Sequence, residues 1–183
     1  MKLVLKILKW VGIVIVALLV ISFFLPSTSH VERTYVVKAS PPVVYALVND
    51  LHKWETWSPW YEMDKKMKIT YNEIPSGKGA SYTWVSQNKN VGNGSMEIID
   101  ATSNEIKTQM HFGDMGNPTA TFKFEAVPEG TKVTWAFEGD CSENPFYLKP
   151  ICRYFNLIMD KMIGPDFEKG LKNLDAVASP IAN

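Results

Sequence analysis

The sequence predicts an α+β protein: a curved antiparallel sheet of about seven strands wrapped around a long C-terminal helix, preceded by one N-terminal transmembrane helix. Three observations carry this expectation. An uncharged apolar run of sixteen residues, Trp10–Leu25, lies near the start of the chain. Seven stretches then read as strands separated by turn chemistry. The last third changes to apolar residues at three- and four-residue spacing. Composition agrees: of 183 residues, 46% are hydrophobic and 21% charged, the proportions of a globular chain. Collagen-like, low-complexity and wholly disordered chains are thereby excluded. With 19 basic and 19 acidic residues, nothing supports a nucleic-acid binder built on net positive charge.

That balance is unevenly distributed. Residues 1–29 hold Lys2, Lys6 and Lys9 and no acid, so residues 30–183 carry 16 basic against 19 acidic groups, a net −3. The leader extends backwards from Trp10 through Leu8, Ile7 and Leu5 to Leu3, because lysines at 6 and 9 can snorkel toward headgroups. Residues 3–25 thus offer roughly 24–35 Å of apolar helix, enough to span a bilayer. The lysines ahead of the span place the N-terminus in the cytoplasm and the body outside it. A cleaved signal peptide is the competing reading, with Ser27-Thr28-Ser29 as a weak cleavage site. The apolar run exceeds the usual signal length and lacks an A-x-A site, which favours a single-pass anchor over residues 1–29.

The body, residues 30–183, reads as one domain. His30–Lys38 alternates, with Val31, Arg33, Tyr35 and Val37 on one face. Ser40-Pro41-Pro42 supplies a helix start, and Val44, Leu47, Val48 and Leu51 form its apolar stripe. An aromatic segment, Trp54–Trp60, follows, with Pro59 ending any helix before it. Six further strands are expected at Lys68–Glu73, Ser81–Gln87, Ser95–Ala101, Glu105–Phe112, Ala120–Val127 and Thr131–Glu138. Gly- and Asn-containing turns separate most of them, with no helix between, so the sheet is antiparallel. Alternation puts Tyr82, Trp84, Met96, Ile98, Met110, Phe112, Phe122, Phe124, Trp135 and Phe137 on one face and charged residues on the other. After Pro150, residues Ile151, Tyr154, Phe155, Ile158 and Met162 form one helical face, which Gly164-Pro165 is expected to break. Phe167, Leu171, Leu174 and Val177 continue as a second stripe.

Recognisable chemistry is sparse. There is no nucleophile elbow, phosphate loop, HExxH or dinucleotide fingerprint. His111, with Asp114 nearby, falls on the polar face of its strand and lacks a second ligand at helical or hairpin spacing. Cys141 and Cys152 permit one disulfide in an oxidising compartment, or two buried thiols; ten intervening residues do not decide. No zinc spacing is present, and neither a metal nor an organic cofactor is expected. The carboxylates Asp140, Glu143, Asp160 and Asp166 show no acid–base pairing. The aromatic set, including Trp54, Trp57 and Trp60, can equally form a packed core or line an apolar pocket. Trp57-Ser58-Pro59-Trp60 could also serve as an exposed anchor for a protein partner.

Three stretches carry a family resemblance over residues 31–178. They are Ala39–Asp50 followed by Trp54–Trp60; Gly77-Lys78-Gly79 leading to Tyr82-Thr83-Trp84, with Gly130–Trp135; and Met162–Leu171. Together they resemble the START-like (SRPBCC) superfamily of polyketide cyclase/dehydrase and lipid-transport proteins. The third is similar to a membrane-anchored bacterial subgroup of that superfamily. The resemblance implies the helix-grip fold, with a cavity between sheet and terminal helix open to a hydrophobic small molecule such as a lipid or quinone. It transfers no catalytic residue. On that implication the candidate lining is Tyr82, Trp84, Met110, Phe112, Phe122, Phe124, Trp135, Phe137, Tyr154, Ile158 and Met162, with the 151–162 helix as a lid. The expected function is non-catalytic, membrane-tethered binding. The alternatives are a cyclase or dehydratase using Tyr82 and Tyr154 as proton donors, or an interaction module.

Overall fold

A computed structural model describes residues 2–113 and 116–181. The leader is one helix, α1 (Lys2–Ser22), exposed along its length until Ser22, and long and apolar enough to cross a membrane. Its 21 residues span about 31 Å, close to the thickness of a hydrocarbon core. Pro26 follows, and β1 (Thr28–Val37) starts two residues later.

From β1 the chain crosses the concave side through α2 (Pro41–Asn49), a 3₁₀ turn (Leu51–Thr56) and α3 (Pro59–Met63). It then meanders back as β2 (Lys68–Tyr71), β3 (Ser81–Val85), β4 (Asn93–Ala101), β5 (Glu105–His111), β6 (Thr119–Val127) and β7 (Gly130–Asp140). The sheet order is β1-β7-β6-β5-β4-β3-β2, antiparallel throughout. The seven expected strands are all present.

Register fixes which end of this sheet faces α1. Thr28 pairs with Asp140, Thr119 with Glu138, Gln109 with Thr119, Ser95 with His111, Asn93 with Val85, and Lys68 with Val85. The start of β1 therefore shares one sheet end with the loops at 86–92 and 141–148 and with the end of β5.

The C-terminal third departs from the expected pattern. It forms α4 (Lys149–Asn156) and α5 (Met159–Ala178), and the break falls at Leu157-Ile158 instead of Gly164-Pro165. Pro165 sits within α5. The proline ring crowds the preceding residue's N–H and Cβ, and Gly164, with no Cβ, removes the second part of that clash. The same bareness serves packing: a Cβ at Gly164 would overlap the Arg33 guanidinium, and one at Gly170 would lie 2.8 Å from Trp135 Cζ3. Phe167, Leu171, Leu174 and Ala178 of α5 are buried with the inward residues of the sheet and Val44, Leu47 and Val48 of α2. Cys141 and Cys152 form a disulfide, which settles the pairing left open above.

Arg33 ties β1 to α5. Its Nη1 lies 2.8 Å from Asp160 Oδ1 and its Nε 2.8 Å from Glu168 Oε1. The hydrogen bonds from Arg33 hold the Asp160 carboxyl below its usual value. The folded state thus binds this proton less readily than the unfolded chain. The resulting stability is full above the ordinary carboxylate pKa of about 3.9 and is lost as pH falls through the depressed value. Urea unfolding should show wild type more stable than Asp160→Asn near neutrality, with the two midpoints converging under acid. A gap that stayed constant with pH would contradict this account.

Candidate functional site

Between the concave face and α5 lies a cavity of about 240 Å³. It is larger than an apolar cavity of about 150 Å³ that accepts benzene, so a ring or a short acyl segment fits. Alternation on the strands supplies Tyr82, Trp84, Met96, Thr108, Met110, Ala120, Trp135 and Phe137, and α5 supplies Ile163 and Phe167. Trp54, Ser58 and Trp60 close it from the crossing segment, while Met67, Asn90, Val91 and Phe112 stand at the sheet end nearest α1. Trp84, Met96, Thr108, Ala120 and Phe167 are buried, Trp60, Met67, Tyr82, Val91, Met110, Phe112 and Ile163 are half-buried, and Asn90, at the end nearest α1, is exposed. The rim therefore lies at that end.

Trp135 forms the floor. Its ring stacks on Phe167 at 4.0 Å and on Phe122 at 4.7 Å, with Trp54, Trp57 and Trp60 edge-on around it. The indole N–H groups of Trp54 and Trp57 donate to the Val48 and Leu47 carbonyls, near the C-terminal end of α2 where helix carbonyls run short of partners. Trp57 is 1% exposed. The tryptophan-rich segment thus packs inside the domain, and its buried rings do not provide an exposed anchor for a partner. Trp135 Nε1, by contrast, is buried without a hydrogen-bond partner. Burial also pushes the Tyr82 phenol well above its ordinary pKa, so it stays protonated and able to donate.

Of the residues expected to line the site, Tyr82, Trp84, Met110, Phe112, Trp135 and Phe137 meet around this cavity. Phe122 lies against Trp135, and Phe124 packs edge-on against Tyr45 of α2 at 5.6 Å. Both fill the part of the concave face that the crossing segment covers. Tyr154, Ile158 and Met162 lie apart from the lining, because the break at 157–158 turns α4 toward α1. The 151–162 stretch is accordingly two helical pieces, and none of its residues lines the cavity. Tyr154 donates to the Leu18 carbonyl, which separates it from Tyr82. Thr108 and Ala120 share the inward parity of Met110 and Phe122, so alternation could have identified them. Asn90 and Val91 sit in a turn that carries no such signal.

His111 is exposed and its Nδ1 shares a hydrogen bond with Asn117 Oδ1; Asp114 lies outside the described residues. Among the described residues no cluster of three His, Cys, Asp or Glu side chains could hold a metal ion.

Residues 28–179 match the family model described as polyketide cyclase/dehydrase and lipid transport. The chain belongs to this family. Solved structures agree at the level of fold. A Chromobacterium violaceum protein shares 18% identity at a TM-score of 0.52, covering 85% of this chain and 99% of its own. A Staphylococcus aureus protein of unknown function shares 15% at 0.59, covering 82% and 95%. The di-domain aromatase/cyclase of the steffimycin biosynthetic pathway shares 11% at 0.59, over 85% of this chain and 52% of that one. No curated protein matches the sequence. In this polyketide cyclase/lipid-transport family the fold is one that binds hydrophobic ligands, and the cavity of this member is predominantly apolar.

Proposed function

We propose that this member of the family is a membrane-tethered, non-catalytic binder of a hydrophobic small molecule, held outside the cytoplasm by α1. The observation that carries the reading is the apolar cavity whose rim shares a sheet end with the anchor. A tethered domain meets a bilayer-dissolved ligand at high effective concentration, so exchange needs no long diffusion. The lysines ahead of α1 favour a cytoplasmic N-terminus, and the Cys141–Cys152 disulfide fits an oxidising compartment. The unpaired Trp135 Nε1 favours a ligand with an acceptor oxygen on an apolar body, as in a quinone or a lipid ester.

The test is native mass spectrometry of the full chain purified from membranes in detergent. Wild type should carry a small-molecule adduct. Ala120→Leu, which projects a larger apolar side chain into the cavity, should lose it at a stability cost of about 1–3 kcal/mol that leaves the domain folded. A protein with no adduct, or one whose adduct ignores Ala120→Leu, would oppose the reading.

A further inference from the structure

The short helix α4 is packed inside out. Its polar residues face the protein: Arg153 Nη1 donates to the Ser22 carbonyl at 2.9 Å, Tyr154 to the Leu18 carbonyl at 2.7 Å, and Asn156 Nδ2 to the Pro26 carbonyl at 3.1 Å. Its apolar residues, with those flanking it, face outward. Phe146 is 84% exposed, and Ile151, Phe155, Leu157, Ile158 and Met162 are each exposed by 44–55%. A soluble domain turns such a stripe inward, and an outward stripe of this kind needs an apolar medium.

The contacts made by α4 identify that medium. Tyr154 reaches Leu18, about 6 Å back along α1 from Ser22, so α4 lies beside the last turn of α1 and not beyond it. With α1 matching one hydrocarbon thickness, its C-terminal turn falls at the boundary between acyl chains and headgroups. Phe23 and Phe24 are exposed at the same level, where aromatic side chains are favoured. Arg153 neutralises the negative end of the α1 dipole there.

We propose that residues 146–162 are a second, non-spanning membrane attachment, with the outward face of α4 immersed in the bilayer surface. This holds the sheet end bearing the cavity rim against the lipid. It rests on the reading of α1 as a spanning anchor. The two cysteines of the chain are paired, so a nitroxide on Phe146→Cys or Leu157→Cys reports a single place. Each is measured in the full chain, in nanodiscs of phosphatidylcholine and phosphatidylglycerol, beside Ile13→Cys within α1 and Lys123→Cys on the outer sheet face. Relaxation by a water-soluble nickel chelate should be lost at 146 and 157 relative to 123, and relaxation by oxygen gained, as at 13. Nickel access at 146 and 157 with protection at 13 would overturn the attachment and leave the anchor standing. Exclusion of both reagents would overturn it in favour of a protein-covered face, a second copy or another partner. Nickel access at 13 would remove the anchor and the attachment together.

Discussion

Trp135→Ala should cost about 3–5 kcal/mol of unfolding free energy, read from urea titrations of the full chain, and is expected to be among the most damaging single substitutions in the domain. Native domains hold only about 5–15 kcal/mol in total. The size follows from position. Trp135 is 2% exposed and sandwiched between Phe122 and Phe167, with Trp54, Trp57 and Trp60 at its edges, so truncation removes both faces of a stack. The space left behind joins an existing cavity and has little to collapse onto it. Trp135→Phe separates packing from recognition. It keeps an aromatic face between Phe122 and Phe167 and removes an N–H that has no protein partner, so its stability cost should stay near about 1.5 kcal/mol. If Nε1 serves a ligand oxygen, the Phe variant should bind a quinone or ester about fivefold more weakly, one hydrogen bond's worth, while binding of a plain alkane is unchanged. Equal weakening for both would make Trp135 a packing residue only.

What the sequence made legible follows the strength of its periodic signals. The strands were readable because one face is core and the other solvent: Phe122, Phe124, Val133, Trp135 and Phe137 alternate with Lys123, Glu125, Lys132, Thr134 and Glu138, and register on a half-buried sheet admits no slip. Six of the cavity residues came from the same parity. The helical third was harder because periodicity identifies a face without saying what it meets. Ile151, Phe155, Ile158 and Met162 read as one helical face and a candidate lid, yet they are the outward side of α4 and the start of α5. Gly164-Pro165 reads as a stop, yet Pro165 is accommodated within α5, and the bare Gly164 lessens its crowding and leaves room for Arg33. The true break, at Leu157-Ile158, has no glycine or proline to mark it. Its cause is tertiary: Arg153, Tyr154 and Asn156 bond the end of α1 and the segment after it, and the chain must turn to bring α5 back over the sheet.

Replacing both Cys141 and Cys152 by alanine should lower stability by about 3 kcal/mol, the loop-entropy value for a closed loop of about twelve residues. Wild type treated with reductant should behave the same way. The effect has a local part that distinguishes this bridge from a generic staple. Cys141 follows directly from β7, while Cys152 lies in α4, so the disulfide pins α4 to the sheet end where α1 enters. Without it, α4 is held chiefly by the hydrogen bonds of Arg153, Tyr154 and Asn156 and by Arg153 over the Phe23 ring, with little buried apolar area, since its apolar side faces outward. Amide exchange in residues 141–158 should therefore rise well beyond what global destabilisation predicts, whereas exchange in β6 and β7 should rise only in step with it. Uniform acceleration across both regions would mean that the bridge acts on the unfolded chain alone. Acceleration in 141–158 in excess of the global effect means that the bridge fixes the orientation of α4 beside α1. A domain folded without an oxidant would then hold α4 beside α1 in no fixed pose.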